Sequence, residues 1–104
     1  MLLVTTETVA GRTVTETLGL VTGNTIRAKD VARDIGAGLK SLVGGELRSY
    51  TNMMIEASQE ATDRLVAEAS NIGADAVIGV RMTTSTVAGG ASEIVAYGTA
   101  VRLG

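Results

Sequence analysis

Cysteine, histidine, tryptophan, phenylalanine and proline are all absent from this chain of 104 residues. Without thiols and imidazoles, the chain lacks the usual nucleophile and base pairs of hydrolases and the soft ligands that hold heavy metals. Its serines have no histidine base, and neither Lys29 nor Lys40 has the spacing of a serine–lysine dyad. We therefore expect no catalytic residue, no cofactor, no metal site and no enzymatic activity.

The charges are few and balanced, with nine basic and eleven acidic residues and a net charge of −2. No block of lysine and arginine marks a phosphate-binding surface, so we expect no nucleic-acid partner. Residues 1–10 lack the basic start of a signal peptide, and no apolar run reaches membrane-spanning length. These features predict a cytoplasmic protein without a membrane partner.

The hydrophobic content is high for a small chain, at 45% of the residues. Only Tyr50 and Tyr97 are aromatic, so the core has to consist of aliphatic side chains. A length of 104 residues predicts one domain over residues 1–104. Because one small domain cannot cover so much apolar surface, we expect a homo-oligomer.

Four segments show the alternation that is typical of strands. Leu2–Thr6 and Val14–Thr22 flank a turn at Ala10–Arg12, which predicts a first β-hairpin. In the second of these strands, Val14, Leu18 and Leu20 are expected to share one face.

Ala76–Thr84 and Glu93–Leu103 flank a glycine loop at residues 88–91, which predicts a second β-hairpin. In Ala76–Thr84, the alternation predicts one face with Ala76, Ile78, Val80 and Met82, and an opposite face that begins with Val77. Glycines at positions 19, 79 and 98 interrupt three of the predicted strands. They indicate either close backbone packing or β-bulges.

Two helices are predicted between the hairpins. Asp30 can cap a short helix, with apolar residues at 31, 35, 39 and 42, that ends at Gly44–Gly45. A long amphipathic helix is predicted from Glu46 to Ile72, with a Glu60–Arg64 ion pair and Gly73 as its left-handed cap. The predicted fold class is therefore α+β, in which two β-hairpins form a small, mainly antiparallel sheet covered by one short and one long helix.

The long helix is expected to be longer than the domain to which it belongs. Its length of about 39 Å exceeds the diameter of about 33 Å that a compact chain of this size would have. The overhanging part would either cover a neighbouring subunit or fray and kink beyond the sheet.

Several strings distributed over nearly the whole chain resemble the YbjQ-like family. They are Leu18–Asn24, Arg33–Ile35, Val43–Glu46 followed by Tyr50, Gly73–Val77 and Tyr97–Val101. The resemblance implies a small α+β subunit that assembles as a homopentamer. It also implies a family label of heavy-metal binding without an established biochemical function.

The metal label finds little support in the residue types. Met53 and Met54 are adjacent on the predicted helix and point about 100° apart, which favours core packing over a two-sulfur clamp. Glu46, Asp75 and Glu93 could hold a hard cation among symmetry copies, although solvated charges are the simpler interpretation.

The candidate ligand-binding residues are Arg33, Asp34, Glu46 and Tyr50. Arg33 and Asp34 lie beside the apolar positions of the short helix, where a guanidinium could hold an anion or form a structural salt bridge. Glu46 and Tyr50 lie near the junction of the two helices. If these groups converge, the site would bind a small molecule, an anion or a metal ion at a subunit contact.

Overall fold

The computed structural model describes residues 1–26, 44–86 and 92–104. These residues form an α+β fold with a four-stranded sheet and a long helix. In chain order the elements are β1 (Leu2–Leu3), β2 (Val14–Ile26), α1 (Gly44–Asn71), β3 (Ala76–Thr86) and β4 (Ser92–Leu103). The predicted short helix and the loop at residues 88–91 lie outside the described residues.

The sheet has the strand order β1-β3-β4-β2. The predicted hairpin between β3 and β4 is confirmed, since these strands pair in antiparallel fashion with Val77 opposite Ala100. β4 pairs with β2 on its other side, also in antiparallel fashion. β1 pairs with β3 in parallel, with Leu2 opposite Ala76, so the sheet is mixed.

The predicted hairpin between the first two strands is wrong. A turn does form at Ala10–Arg12, where Gly11 has a φ of 76° and the Arg12 amide donates to the Val9 carbonyl. However, β1 and β2 lie at opposite edges of the sheet. The segment after β1 instead follows β3, with the Val80 amide donating to Val4 and the Gly79 amide donating to Thr6. A turn signal reports a local reversal and does not determine which strand becomes the partner.

Two of the strand glycines form β-bulges that change which residues face the core. Gly19 and Gly79 have positive φ values of 120° and 61°, and both lie at register shifts. The first bulge separates Leu18, which packs against the core, from Leu20, which is 71% exposed. The predicted shared face of Leu18 and Leu20 is therefore wrong, because one extra residue in a strand reverses the alternation.

The bulge at Gly79 has the same effect in β3. Val77 is buried, and beyond the bulge Met82 pairs with the buried Ala96. The single alternation predicted for Ala76–Thr84 is wrong for this reason. Gly98 has a different role: a Cβ there would lie 2.7 Å from Cγ1 of Val77, so it allows close packing of β4 and β3.

The long helix is confirmed, with bounds Gly44–Asn71 in place of Glu46 to Ile72. Gly73 ends it with a φ of 81°, and the Ala74 amide donates to the Ala69 carbonyl, as in a Schellman cap. The predicted Glu60–Arg64 ion pair is present as well.

One stripe of α1 forms the centre of the core. Every fourth residue from 57 to 69 is fully buried, namely Ala57, Ala61, Leu65 and Ala69. The helix lies directly on β2 at Gly23, where a Cβ would overlap the Ala61 carbonyl and the Leu65 amide. The absence of a side chain at Gly23 therefore sets the distance between helix and sheet.

The molecule is elongated. Its radius of gyration is 16.8 Å, and its principal extents are 54 × 25 × 16 Å. A compact chain of this length is expected to have a radius of gyration of about 13 Å. The long helix and the long strands thus extend beyond what one compact core contains.

Candidate functional site

The four predicted site residues cannot be assembled into a site from the described structure. Arg33 and Asp34 lie outside the described residues. Glu46 and Tyr50 lie in the first turns of α1 as predicted, but only their backbone is described. Their convergence therefore stays a prediction.

A groove lies between the N-terminal half of α1 and β3, with a volume of about 370 Å³. Met82 of β3 forms one wall. Residues at helical spacing on one side of α1 form the other: Thr51, Met54, Ile55, Ser58, Gln59 and Thr62. Among the described residues, α1 packs mainly over β2 and β4, which leaves this groove beside β3.

Three of the polar side chains that border this groove, those of Ser58, Gln59 and Thr62, bond within the helix. The Ser58 hydroxyl donates to the Met54 carbonyl at 2.9 Å, and the Thr62 hydroxyl donates to the Ser58 carbonyl at 2.9 Å. The Gln59 amide group donates to the Asp63 carboxylate, also at 2.9 Å. The lining therefore presents mainly methyl, methylene and thioether groups, which suit an apolar group better than an ion.

The described residues contain no cluster of three or more histidine, cysteine, aspartate or glutamate side chains that could hold a metal. Asp75, one of the possible hard-cation ligands, accepts a hydrogen bond from the Leu103 amide at 2.8 Å. Glu93 accepts a longer one from the Asn24 side chain at 3.4 Å. Each of these carboxylates thus contacts the end of a neighbouring strand.

The face of the sheet that points away from α1 carries exposed apolar side chains. On β2, Leu20 is 71% exposed and Ile26 is 56% exposed. The β4 residue Tyr97, which pairs with Thr22, is 37% exposed. We call Leu20, Ile26 and Tyr97 the outer apolar face. Exposed apolar surface of this kind is typical of interaction sites.

Sequence reasoning missed both the groove and the outer apolar face. The groove needs Met82 on the helix side, and Leu20 reaches the outer side only because of the bulge at Gly19. The glycines inside the strands were the available signal, since glycine in a strand often marks a bulge. In the part of the chain that the structure describes, no helix is long and apolar enough to span a membrane.

Comparisons with known proteins find a family profile and relatives that match all or nearly all of the chain. The family profile described as "Putative heavy-metal-binding", YbjQ_1, matches residues 1–104. A UPF0145 protein of Vibrio campbellii is 55% identical over 103 residues, which cover 99% of each chain. A UPF0145 protein of Halorubrum lacusprofundi is 58% identical over 98 residues, or 94% of each chain.

A solved structure has a similar fold. It is the crystal structure of a protein of unknown function of the DUF74 family from Pediococcus pentosaceus, with a TM-score of 0.62 and 22% sequence identity. The match covers 100% of this chain and 98% of that one. At this identity the likeness concerns the fold alone. The family profile and the close relatives together establish that this chain is a member of the YbjQ-like family of UPF0145 proteins, which has no established biochemical function.

Proposed function

We propose that this chain is a non-enzymatic, cytoplasmic protein that acts as a homo-oligomer, with its single domain over residues 1–104 as the subunit. Neighbouring copies cover the outer apolar face. The stoichiometry we propose is five, which rests on the resemblance to YbjQ-like proteins. The partner of this chain is then a second copy of itself rather than a nucleic acid or a membrane.

The outer apolar face is the observation that carries this proposal. Leu20 is 71% exposed on a strand whose alternate residues Val21, Gly23 and Thr25 are buried on the other face. Burial of apolar surface contributes roughly 25 cal/mol for each Å², so covering several such side chains favours association. The radius of gyration of 16.8 Å supports the same conclusion, because an elongated subunit presents a large surface to its neighbours.

The test is native mass spectrometry together with sedimentation velocity at micromolar concentration. We expect the wild-type chain to have five times the mass of one copy. Leu20→Glu places a carboxylate on the outer apolar face and should convert the assembly into monomers. Ala67→Glu is the matched control, since Ala67 is exposed on α1 and should tolerate the same new charge.

Circular dichroism has to show that both variants are folded. A wild-type chain that is monomeric at these concentrations would contradict the proposal. So would a Leu20→Glu variant that keeps the wild-type mass, because the assembly would then use a different surface. An assembly of another size would refute the number five and leave self-association in place.

A second candidate function is a binding module whose sites form at subunit contacts. The groove beside Met82, which a single copy forms, favours binding as such: it has a volume of about 370 Å³, and its Ser58 and Thr62 hydroxyl groups already bond to the helix backbone. These properties point to a small apolar molecule. The alternative ligands, an anion or a metal ion, would depend on Arg33, Asp34, Glu46 and Tyr50.

Thermal-shift measurements distinguish these ligands. A medium-chain alcohol should raise the melting temperature of the wild type, and Met82→Ser should abolish that rise. Inorganic phosphate and divalent metal salts form the other two arms, with Arg33→Ala and Glu46→Ala as their variants. A rise with phosphate that Arg33→Ala removes would favour the anion site, and no rise in any arm would reject the binding module.

A further inference from the structure

β2 is an edge strand of the sheet, and its sequence offers little protection against pairing with another chain. It spans 13 residues, Val14–Ile26, contains no proline, and carries Glu16 as its only charged side chain. An edge strand exposes unpaired amide and carbonyl groups that can template a further strand. Any protection of this edge against pairing therefore has to come from groups outside the strand.

Two side chains of α1 reach the backbone of this edge. The Glu68 carboxylate accepts a hydrogen bond from the Thr22 amide at 3.3 Å. The Arg64 guanidinium donates to the Asn24 carbonyl, and its other terminal nitrogen bonds to Glu60. One amide and one carbonyl of the strand thus receive the same kinds of partner that an added strand would supply.

The spacing of the two side chains matches the spacing of the strand groups. Residues four apart on a helix are separated by about 6 Å along the axis. Residues two apart on a strand are separated by about 6.7 Å. Arg64 and Glu68 therefore align with Asn24 and Thr22 when the helix runs antiparallel to β2.

Gly23 makes this alignment possible. It lies between the two bonded strand residues, and a Cβ there would be 2.9 Å from the Arg64 carbonyl carbon and would overlap the Leu65 amide. At this close approach, the Arg64 and Glu68 side chains of α1 reach the backbone at the exposed edge of the strand. The close packing at Gly23 thus positions the Arg64 and Glu68 side chains at the strand edge.

We infer that Arg64 and Glu68 form a clamp that occupies the edge of β2 and prevents a strand of a second copy from pairing there. The clamp closes the middle of this edge to strand addition. Self-association of the chain is then restricted to other surfaces, such as the outer apolar face. The inference itself does not depend on the number of copies in the assembly.

Hydrogen exchange at the Thr22 amide tests the clamp directly. Glu68→Ala removes the acceptor, so exchange at this amide should become at least about tenfold faster. Glu68→Gln retains an acceptor oxygen and should restore slow exchange. Glu56→Ala is the control, because Glu56 is an exposed glutamate three turns earlier on the same helix and should leave Thr22 unchanged.

The consequence for association is tested with the double variant Arg64→Ala/Glu68→Ala. We expect new assemblies with added β-structure by infrared spectroscopy and thioflavin fluorescence, whereas Glu56→Ala should give none. Unchanged exchange at Thr22 in Glu68→Ala would overturn the clamp, as would a folded double variant without added β-structure. If the double variant does not fold, the single variant Glu68→Ala is used for both measurements, which are hydrogen exchange at Thr22 and the formation of added β-structure. The mass of the wild-type assembly is a separate measurement, so failure of the clamp and failure of the proposed self-association can be distinguished.

Discussion

The two halves of α1 differ sharply in how they contact the sheet. In the C-terminal half, Ala61 and Leu65 are fully buried against β2 and β4. In the N-terminal half, Met54 is half-buried and Ile55 is 62% exposed beside the groove. The same helix is thus a core element at one end and a surface element at the other. One copy of the sheet covers only part of a helix of 28 residues.

The difference has a steric cause. The buried stripe of the C-terminal half has alanines at 61 and 69 on either side of Leu65, and Gly23 of β2 lies beneath it, so backbone approaches backbone. Larger side chains border the groove of the N-terminal half, where Met82 of β3 is 48% exposed. Truncating one aliphatic side chain in each half measures how much each half contributes to the free energy of unfolding.

The largest expected effect is that of Leu65→Ala. Leu65 is among the largest fully buried side chains of the described core, and its truncation should lower the free energy of unfolding by about 3 kcal/mol. Ile55→Ala removes a similar volume from the exposed half and should cost less than about 1 kcal/mol. Urea denaturation at one fixed protein concentration checks both values. Equal losses would mean that the N-terminal half of α1 is covered in solution.

Gly23→Ala should have the next largest effect. The new methyl group would overlap the backbone of α1 at Ala61 and Leu65, so the helix has to move away from the sheet. We expect a loss of about 2 kcal/mol in the free energy of unfolding, as for other overpacked cores. Thr22→Ala, at an exposed position next to it, is the control and should cost less. A stable Gly23→Ala variant with an unchanged Thr22 amide exchange rate would refute the close approach described above.

The smallest expected effect concerns the exposed charges of the helix. Glu60→Gln weakens the ion pair with Arg64 and should cost about 0.4 kcal/mol at low ionic strength. Glu56→Gln, one turn earlier, removes a like charge from the vicinity of Glu60 and should be neutral or slightly stabilising. Thermal unfolding in low and in 1 M salt checks both, since salt screens exposed charges. A loss for Glu60→Gln that persists in 1 M salt would indicate a role beyond the surface ion pair.

The candidate site was less predictable than the fold. Glu46 and Tyr50 were placed correctly in the first turns of the long helix, because helical periodicity and the Gly44–Gly45 break are local signals. The groove beside Met82 was missed, because a single bulge at Gly79 decides which side of the sheet Met82 faces. A shift of one residue reverses a whole strand segment, and the residue pattern alone does not reveal it.

The sequence by itself determined α1, its glycine cap and the positions of the longer strands. These features follow from side-chain periodicity and backbone preference, which act over a few residues. Only the tertiary structure decided that β1 pairs with β3, that β2 pairs with β4, and that Gly23 lies under the helix. Backbone hydrogen bonds between strands are nearly independent of the side chains, so the partner of a strand depends on how the whole chain buries its apolar faces.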